Sequence, residues 1–170
     1  QMAKALGHRV IVPLRQMSKA DFCRQLGADD VVVLDEQWSD VVLEKTAGRG
    51  VDVILDMLGT ATAAGDMRVL ARRGRLAWIA FLTGSRMEIK VHEVMGKEAV
   101  LTGAFLRPQS ADTKAQLAQG LREHIWPKIE QGLIVPMVHQ VFAFDQVREA
   151  HQYMESNQHS GKLVLSWAND

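Results

Sequence analysis

Short runs of β-branched and aliphatic residues alternate with helix-patterned segments over the first 105 residues of the chain. This alternation is typical of βαβ units, in which a helix returns the chain so that successive strands lie parallel. It predicts strands at residues 9–13, 30–34, 51–58, 75–81 and 99–105, with helices at 18–26, 37–46, 60–70 and 91–95. Right-handed crossovers between such strands give an α/β fold with an open, doubly wound parallel sheet.

The strand "VDVILDML", residues 51–58, is almost entirely apolar. A strand of a parallel sheet that is covered by helices on both faces has this composition. We therefore expect it to be a central strand that is buried on both faces.

The pattern changes after residue 109. A long helix is predicted at residues 113–131, where Leu117, Leu121, Ile125 and Ile129 recur every four positions and form one apolar face. An extended segment at 138–144, a helix at 145–156 capped by Asp145 and a strand at 161–167 follow. The chain thus divides into residues 1–109, which carry the parallel sheet, and residues 110–170, which are too few for an independent domain.

Composition excludes several classes of partner. The chain has 170 residues and a formal net charge of +0, so no overall field attracts nucleic acid or an anionic membrane. Its apolar runs are of strand length, far below the roughly 20 residues of a membrane span. The single cysteine, Cys23, excludes an internal disulfide and fits a reducing compartment. We expect a cytoplasmic protein without nucleic-acid or membrane partners.

The turn after the first predicted strand reads "LRQMSK", and no carboxylate occurs between His8 and Asp21. In nucleotide-binding sheets a carboxylate at this turn accepts the ribose hydroxyls of NAD, whereas Arg, Lys and small polar groups neutralise the 2′-phosphate of NADP. Arg15 and Lys19 lie where a helix begins, and its backbone N–H groups add attraction for an anion. The two cations either bind a 2′-phosphate or are solvated side chains of an ordinary helix start.

Two further loops follow strands, at the end of a parallel sheet where ligands bind. Asp56 is either a base or, more simply, an acceptor for neighbouring backbone N–H groups, and Gly59 would allow the backbone to approach a flat ligand. Thr60 would cap the next helix. The segment "AFLTGSR" offers an apolar wall with one hydroxyl, which suits a nicotinamide ring and equally an ordinary core before a turn; its residues are Phe81, Leu82 and Thr83.

Two motifs predict no site. "HEVMG" begins like the zinc motif HExxH, but Gly96 stands where the second His belongs, so no metal site is predicted. "RVLARRGR" is basic but has no interleaved aromatic residues, which favours a solvated turn over a nucleic-acid surface.

Four segments together resemble the medium-chain dehydrogenase/reductase superfamily, in particular its zinc-independent NADPH:quinone oxidoreductase branch. They are "RQMSKADFCRQLGADDVV", "GVDVILDMLG", "RRGRLAWIAFLTG" and "AHQYMESNQHSGKLVL". The resemblance covers essentially the whole chain, and its specificity lies in the order of the segments.

The resemblance implies a fold assignment. Residues 1–109 would be most of a dinucleotide-binding Rossmann domain that lacks its first strand and the glycine-rich pyrophosphate turn, and residues 110–170 would belong to the catalytic domain. The opening "QMAKALG" reads as the last turns of a helix that ends at Gly7, which the family places after that missing turn. We therefore expect these 170 residues alone to be catalytically silent and to bind NADPH weakly or not at all.

The resemblance also implies roles for residues near the cofactor. The 2′-phosphate contacts would be Arg15, Gln16 and Lys19, of which Lys19 matches the family pattern best. Leu34 departs from that pattern, because relatives commonly have a Tyr there that also approaches the phosphate.

At the nicotinamide end of the cofactor, the resemblance implies that the ring would be lined by Phe81, Leu82 and Thr83. The segment from Phe105 to Arg107, which follows the last strand of the sheet, would approach the cofactor cleft. The strand from Val100 to Phe105 would pair with its twofold mate in a homodimer. The implied reaction is hydride transfer from NADPH to a quinone or an activated alkene.

Three other functions stay open. A zinc-dependent alcohol dehydrogenase of the same superfamily would carry its metal ligands outside this chain, and metal analysis would identify it. A nonenzymatic nucleotide-sensing Rossmann domain would not need residues 110–170. A methyltransferase usually has an acidic residue where the segment from Arg15 to Lys19 stands, and an adenosylmethionine titration would test it.

Overall fold

The computed structural model describes residues 1–167, which form an α/β fold with the predicted order of elements. The strands are β1 (Ile11–Leu14), β2 (Asp30–Val33), β3 (Val51–Asp56), β4 (Leu70–Trp78), β5 (Val100–Gly103), β6 (Val138–Ala143) and β7 (Lys162–Ser166). The helices are α1 (Met2–Ala5), α2 (Ala20–Gln25), α3 (Trp38–Lys45), α4 (Ala63–Val69), α5 (Val91–Lys97), α6 (Ala111–His124), α7 (Trp126–Glu130) and α8 (Val147–Glu155).

Three strands form a parallel sheet in the order β3-β4-β5. Asp56 lies opposite Trp78 in the register, and Trp78 lies opposite Gly103, so the carboxyl ends of the three strands coincide. β1 pairs with β2, and β6 pairs in parallel with β7. The α/β class is confirmed, although hydrogen bonding divides the predicted sheet into β1-β2 and β3-β4-β5.

The two parts of the divided sheet pack on shared apolar side chains. A buried cluster of Val32, Trp38, Val42 and Val69 is flanked by Ile11 of β1 and by Val51 and Ile54 of β3. Ile54 also flanks a second buried cluster, formed by Met67, Leu70 and Leu76.

The prediction that the strand at 51–58 is buried on both faces is wrong. Val53 and Leu55 are 67% and 62% exposed, whereas Ile54 and Asp56, on the other face, are half-buried and buried. Ile54 packs on buried clusters that include Trp38 of α3 and Met67 of α4, which cover the other face of the strand. The apolar composition of the strand therefore did not report how many of its faces are covered.

The predicted helix at 113–131 is divided into α6 and α7. Pro127 lies in the first turn of α7, where the missing N–H of proline is tolerated but an uninterrupted helix is not. Leu117 and Leu121 are 51% and 49% exposed, so the apolar face that the spacing indicated is half open to solvent.

Two predicted helix caps are also wrong. Asp145 lies in a 3-10 turn before α8, and no side chain caps the start of α8. Thr60 precedes α4 by three residues, and its hydroxyl instead donates to the Arg86 carbonyl at 2.7 Å.

The junction between α4 and β4 is held by a lysine from α5. The Lys97 ammonium donates to the carbonyls of Met67, Arg68 and Leu70 at 2.6, 2.9 and 2.5 Å. These carbonyls lie at the end of α4, where helix groups lack partners and a cation is favoured. Partial burial lowers the pKa of Lys97.

Two compact units make up the chain. One comprises residues 11–15 and 31–119, and the other comprises residues 1–10, 16–30 and 120–170. In the second unit, α8 packs on β6 and β7 and buries Phe142 and Ala150. Across residues 1–167, every helix is too short or too polar to cross a bilayer.

Candidate functional site

The loops that follow β3, β4 and β5 form the candidate site. They leave the same edge of a parallel sheet, where the strands' carboxyl ends meet and open α/β sheets bind ligands. The predicted site residues from Asp56 to Arg107 all lie in or beside these loops.

Asp56 serves the turn that follows its own strand. Its carboxylate is buried and accepts backbone N–H groups from Leu58 at 2.7 Å and from Gly59 at 2.9 Å. The sequence left two roles open for Asp56, a base or an acceptor for neighbouring backbone N–H groups. This geometry matches the second role. Asp56 therefore shapes the loop, and its oxygens face the protein backbone.

Gly59 lies in close contact with the next loop. It has φ +82°, and a Cβ on it would lie 2.5 Å from the Gly84 carbonyl oxygen and 3.2 Å from the Cα of Phe81. Glycine is the residue that adopts this backbone conformation without steric cost. The close approach predicted at Gly59 is thus made to the β4 loop.

Thr83 fastens the two loops together. Its hydroxyl donates to the Leu58 carbonyl at 2.7 Å and accepts the N–H of Ala61 at 3.0 Å. Backbone bonds run beside it, from the Thr83 N–H to the Leu58 carbonyl and from the Thr60 N–H to the Gly84 carbonyl. The one hydroxyl predicted beside the ligand thus organises the loops.

The apolar wall predicted from the sequence is open to solvent. Phe81, Leu82 and Phe105 are 52%, 73% and 60% exposed, and the two phenyl rings meet edge to face with centroids 6.3 Å apart. Three large apolar side chains are thus exposed at one edge of the sheet, as is typical of surfaces that bind a ligand or partner.

A hollow of about 490 Å³ lies beside this wall. It is lined by Ile79, Ala104, Phe105, Leu106, Gln109, Thr113 and Leu117, none of which carries a charge. Arg107 is exposed next to it, and its carbonyl accepts a hydrogen bond from Lys114. The hollow suits an apolar, uncharged molecule.

The turn after β1 carries the predicted phosphate-binding side chains. Arg15 and Gln16 are exposed. Lys19 is half-buried, and its ammonium donates to the carbonyls of Asn157 and His159 at 2.7 and 2.8 Å. Two of its three N–H donors therefore hold the segment that follows α8, a role that the sequence did not indicate. Leu34 packs against the cluster around Trp38.

Sequence reasoning missed Asp66 on α4. It is 4% exposed, and its Oδ2 atom accepts no hydrogen bond from residues 1–167. Helical spacing contained the signal, because Asp66 falls on the same face as the buried Thr62, Ala63 and Met67.

A second missed group lies in the other unit. The hydroxyl of Tyr153 lies 3.0 Å from Nε2 of His139, the two rings stack, and His159 lies beside Tyr153. These residues join α8 to β6 and to the segment that Lys19 holds.

Comparison with curated proteins finds oxidoreductases. The chain is 29% identical to a zinc-type alcohol dehydrogenase-like protein of Schizosaccharomyces pombe over 97% of its length and 46% of that protein. It is 28% identical to a Burkholderia 2-haloacrylate reductase and 26% identical to the Sus scrofa quinone oxidoreductase, over 96% and 97% of this chain and 49% of each protein. The chain thus spans about half the length of these relatives.

Solved structures share the fold. An NAD-dependent alcohol dehydrogenase matches 98% of this chain and 46% of its own at 27% identity with a TM-score of 0.78. A mycobacterial protein complexed with NADPH matches 96% of this chain and 51% of its own at 26% identity with a TM-score of 0.79.

A family model described as zinc-binding dehydrogenase matches residues 26–165, which is most of the chain and includes every loop of the candidate site. The chain therefore belongs to the zinc-binding dehydrogenase family, within the medium-chain dehydrogenase/reductase superfamily.

Proposed function

We propose that the protein is an NADPH-dependent oxidoreductase that reduces a quinone or an activated alkene, and that these 170 residues are the C-terminal part of it. The main support for this proposal is the turn after β1. This turn contains Arg15 and Lys19, and no carboxylate occurs between His8 and Asp21. A charged 2′-phosphate is favoured by such a turn, and a free ribose hydroxyl pair is not. Gln16 adds an amide donor to the same turn.

The third ammonium donor of Lys19 is the one assigned to the phosphate, since the other two hold Asn157 and His159. Arg15 is exposed and carries five N–H donors in a planar fork that matches phosphate geometry.

Two strand edges support the view that the chain is part of a larger domain. β1 and β3 are not paired with each other, yet Ile11 of β1 and Val51 of β3 pack on the same buried cluster. In the common Rossmann order 3-2-1-4-5-6, the first strand lies between the second and the fourth strands. A strand inserted between β1 and β3 would complete that order and would bring the phosphate turn with it.

The apolar hollow supports an uncharged acceptor. Nicotinamide supplies a hydride when it is bound, and the protein's contribution is to orient the two reactants and to exclude water. In our proposal, Phe81, Leu82 and Phe105 supply the apolar wall, Arg107 borders the cleft, and Asp56, Gly59 and Thr83 fix the loops.

A zinc-dependent enzyme of this superfamily would carry its metal ligands outside this chain. Residues 1–167 contain no group of three His, Cys, Asp or Glu side chains that could hold a metal ion. A zinc-dependent alcohol dehydrogenase remains the second candidate because the matched family and the fission yeast relative bear that description. Metal analysis of the intact protein separates the two, since stoichiometric zinc would favour the alcohol dehydrogenase.

We further propose a homodimer and a cytoplasmic location. β5, from Val100 to Gly103, is an edge strand of its sheet, and pairing with a second copy would cover its unpaired backbone groups. Cys23 is a free thiol, which fits a reducing compartment.

The activity is tested by following NADPH oxidation by the intact protein with a soluble quinone. We expect quinone-dependent oxidation that is much faster with NADPH than with NADH, and we expect none from the 170 residues alone. Equal rates with the two cofactors would contradict the assignment of NADPH. Turnover by the isolated chain would contradict the view that it lacks its pyrophosphate turn.

A further inference from the structure

A buried acid lies beneath the turn that connects β3 to α4. Asp66 is 4% exposed, and its Oδ2 atom has no hydrogen-bond partner among residues 1–167. A buried carboxylate oxygen without a donor is costly when it is charged, and much less so when it carries a proton.

The charge of a second buried acid, Asp56, acts on Asp66. Asp56 is 6% exposed and accepts the N–H groups of Leu58 and Gly59 with its two oxygens. Two carboxylates that share a buried site do not both ionise readily.

Nearby cations are engaged elsewhere. Arg68, on the same helix, donates to Ser39 and Asp40, and Lys97 donates to the carbonyls at the end of α4. The other titratable or charged groups on the packed elements are Glu44 and Lys45 on α3, Asp52 on β3, Arg72, Arg73 and Arg75 on β4, and His92 and Glu93 on α5. Of these groups, Asp56 is the one whose charge raises the pKa of Asp66, and Thr62 partly offsets this effect.

We propose that Asp66 is a proton-controlled switch of the Asp56–Thr62 turn, which is closed when Asp66 is protonated and loosens when Asp66 ionises. Burial and the neighbouring Asp56 raise the pKa of Asp66 to about 7. The folded state therefore holds this proton more tightly than the unfolded chain does. The stabilisation is complete below the ordinary pKa of Asp and is lost as pH rises through about 7.

The switch would act on the candidate site. The turn bonds to the β4 loop through Thr83 and through the Gly84 carbonyl, so its opening would release the apolar wall that begins at Phe81. This consequence does not depend on the identity of the cofactor.

Hydrogen exchange of the Leu58 and Gly59 amides reports directly on the turn, because both donate to Asp56. After correction for intrinsic exchange, we expect protection in the wild-type protein to fall by up to about tenfold per pH unit above the pKa of Asp66. Asp66→Asn keeps the shape without the charge and should abolish this dependence. The matched control, Asp21→Asn, removes an exposed carboxylate and should leave the dependence intact.

A wild-type measurement covers the case in which Asp66→Asn does not fold. Carbon-13 NMR of labelled Asp carboxyl groups should show one group, assigned to Asp66, that titrates near pH 7. Titration of that carboxyl in the ordinary range of Asp would overturn the proposal. Loss of protection that is equal in wild type and Asp66→Asn would overturn it as well.

Discussion

Substitution of Gly59 by Ala tests how the two loops of the candidate site are held together. A residue with a side chain at φ +82° costs about 1–2 kcal/mol. The new Cβ would also lie 2.5 Å from the Gly84 carbonyl oxygen, too close for any real contact. The β4 loop must therefore shift and give up the hydrogen bond from the Thr60 N–H, with a further cost of about 1 kcal/mol or more.

Together these costs predict that Gly59→Ala lowers the free energy of unfolding by about 2–4 kcal/mol. Urea unfolding followed by circular dichroism measures this difference. Gly48→Ala is the matched control, because Gly48 has φ +77° but nothing within 4 Å of an added Cβ, so it isolates the backbone strain. Gly120→Ala, in helix α6 with open space around it, should stabilise by about 0.5–1 kcal/mol. Equal losses in Gly59→Ala and Gly48→Ala would refute the argument that the loops are in tight contact.

Three other predictions concern lysine contacts and the sheet edge. Lys97→Met should lower the free energy of unfolding by about 2–4 kcal/mol, since three carbonyls lose a charged donor. Lys90→Met removes an exposed lysine and should change the free energy of unfolding by less than about 1 kcal/mol. Similar losses in both variants would contradict the role assigned to Lys97. Lys19→Ala should speed limited proteolysis within residues 157–160, and an unchanged cleavage rate would show that its two bonds to that segment are dispensable. Thr102→Arg on β5 should convert the intact protein from dimer to monomer in sedimentation velocity, and an unaltered mass would place the interface elsewhere.

The order of strands and helices was predictable because local periodicity is strong in βαβ units. The burial of β3 was not, since Val53 and Leu55 are as apolar as core residues and only tertiary structure shows that their face is open. The helix break at Pro127 was visible in the sequence, but the regular spacing of leucines and isoleucines outweighed it. Asp145 failed as a cap for α8 because the chain enters that helix through a 3-10 turn.

The candidate site was predictable by position and less so by role. The sequence placed Asp56 near the end of a strand and placed Gly59 and Thr83 in the loops that follow strands, where the structure has them. It could not show that the Thr83 hydroxyl bonds to the neighbouring loop, nor that Lys19 reaches the segment after α8, because both contacts join residues far apart in the chain. Asp66 was overlooked because a charged residue on a short helix is usually exposed.

The most direct test of the role assigned to the turn after β1 is a comparison of cofactor affinity. The affinities for NADPH and for NADH are measured in the intact wild-type protein and in the double variant Arg15→Ala, Lys19→Ala. Each charge-assisted bond to a phosphate contributes about 1.5–3 kcal/mol, so the double variant should weaken NADPH binding by at least about tenfold. NADH lacks the 2′-phosphate, and its affinity should change far less. Equal losses for the two cofactors would contradict the account and would leave Arg15 and Lys19 as structural residues.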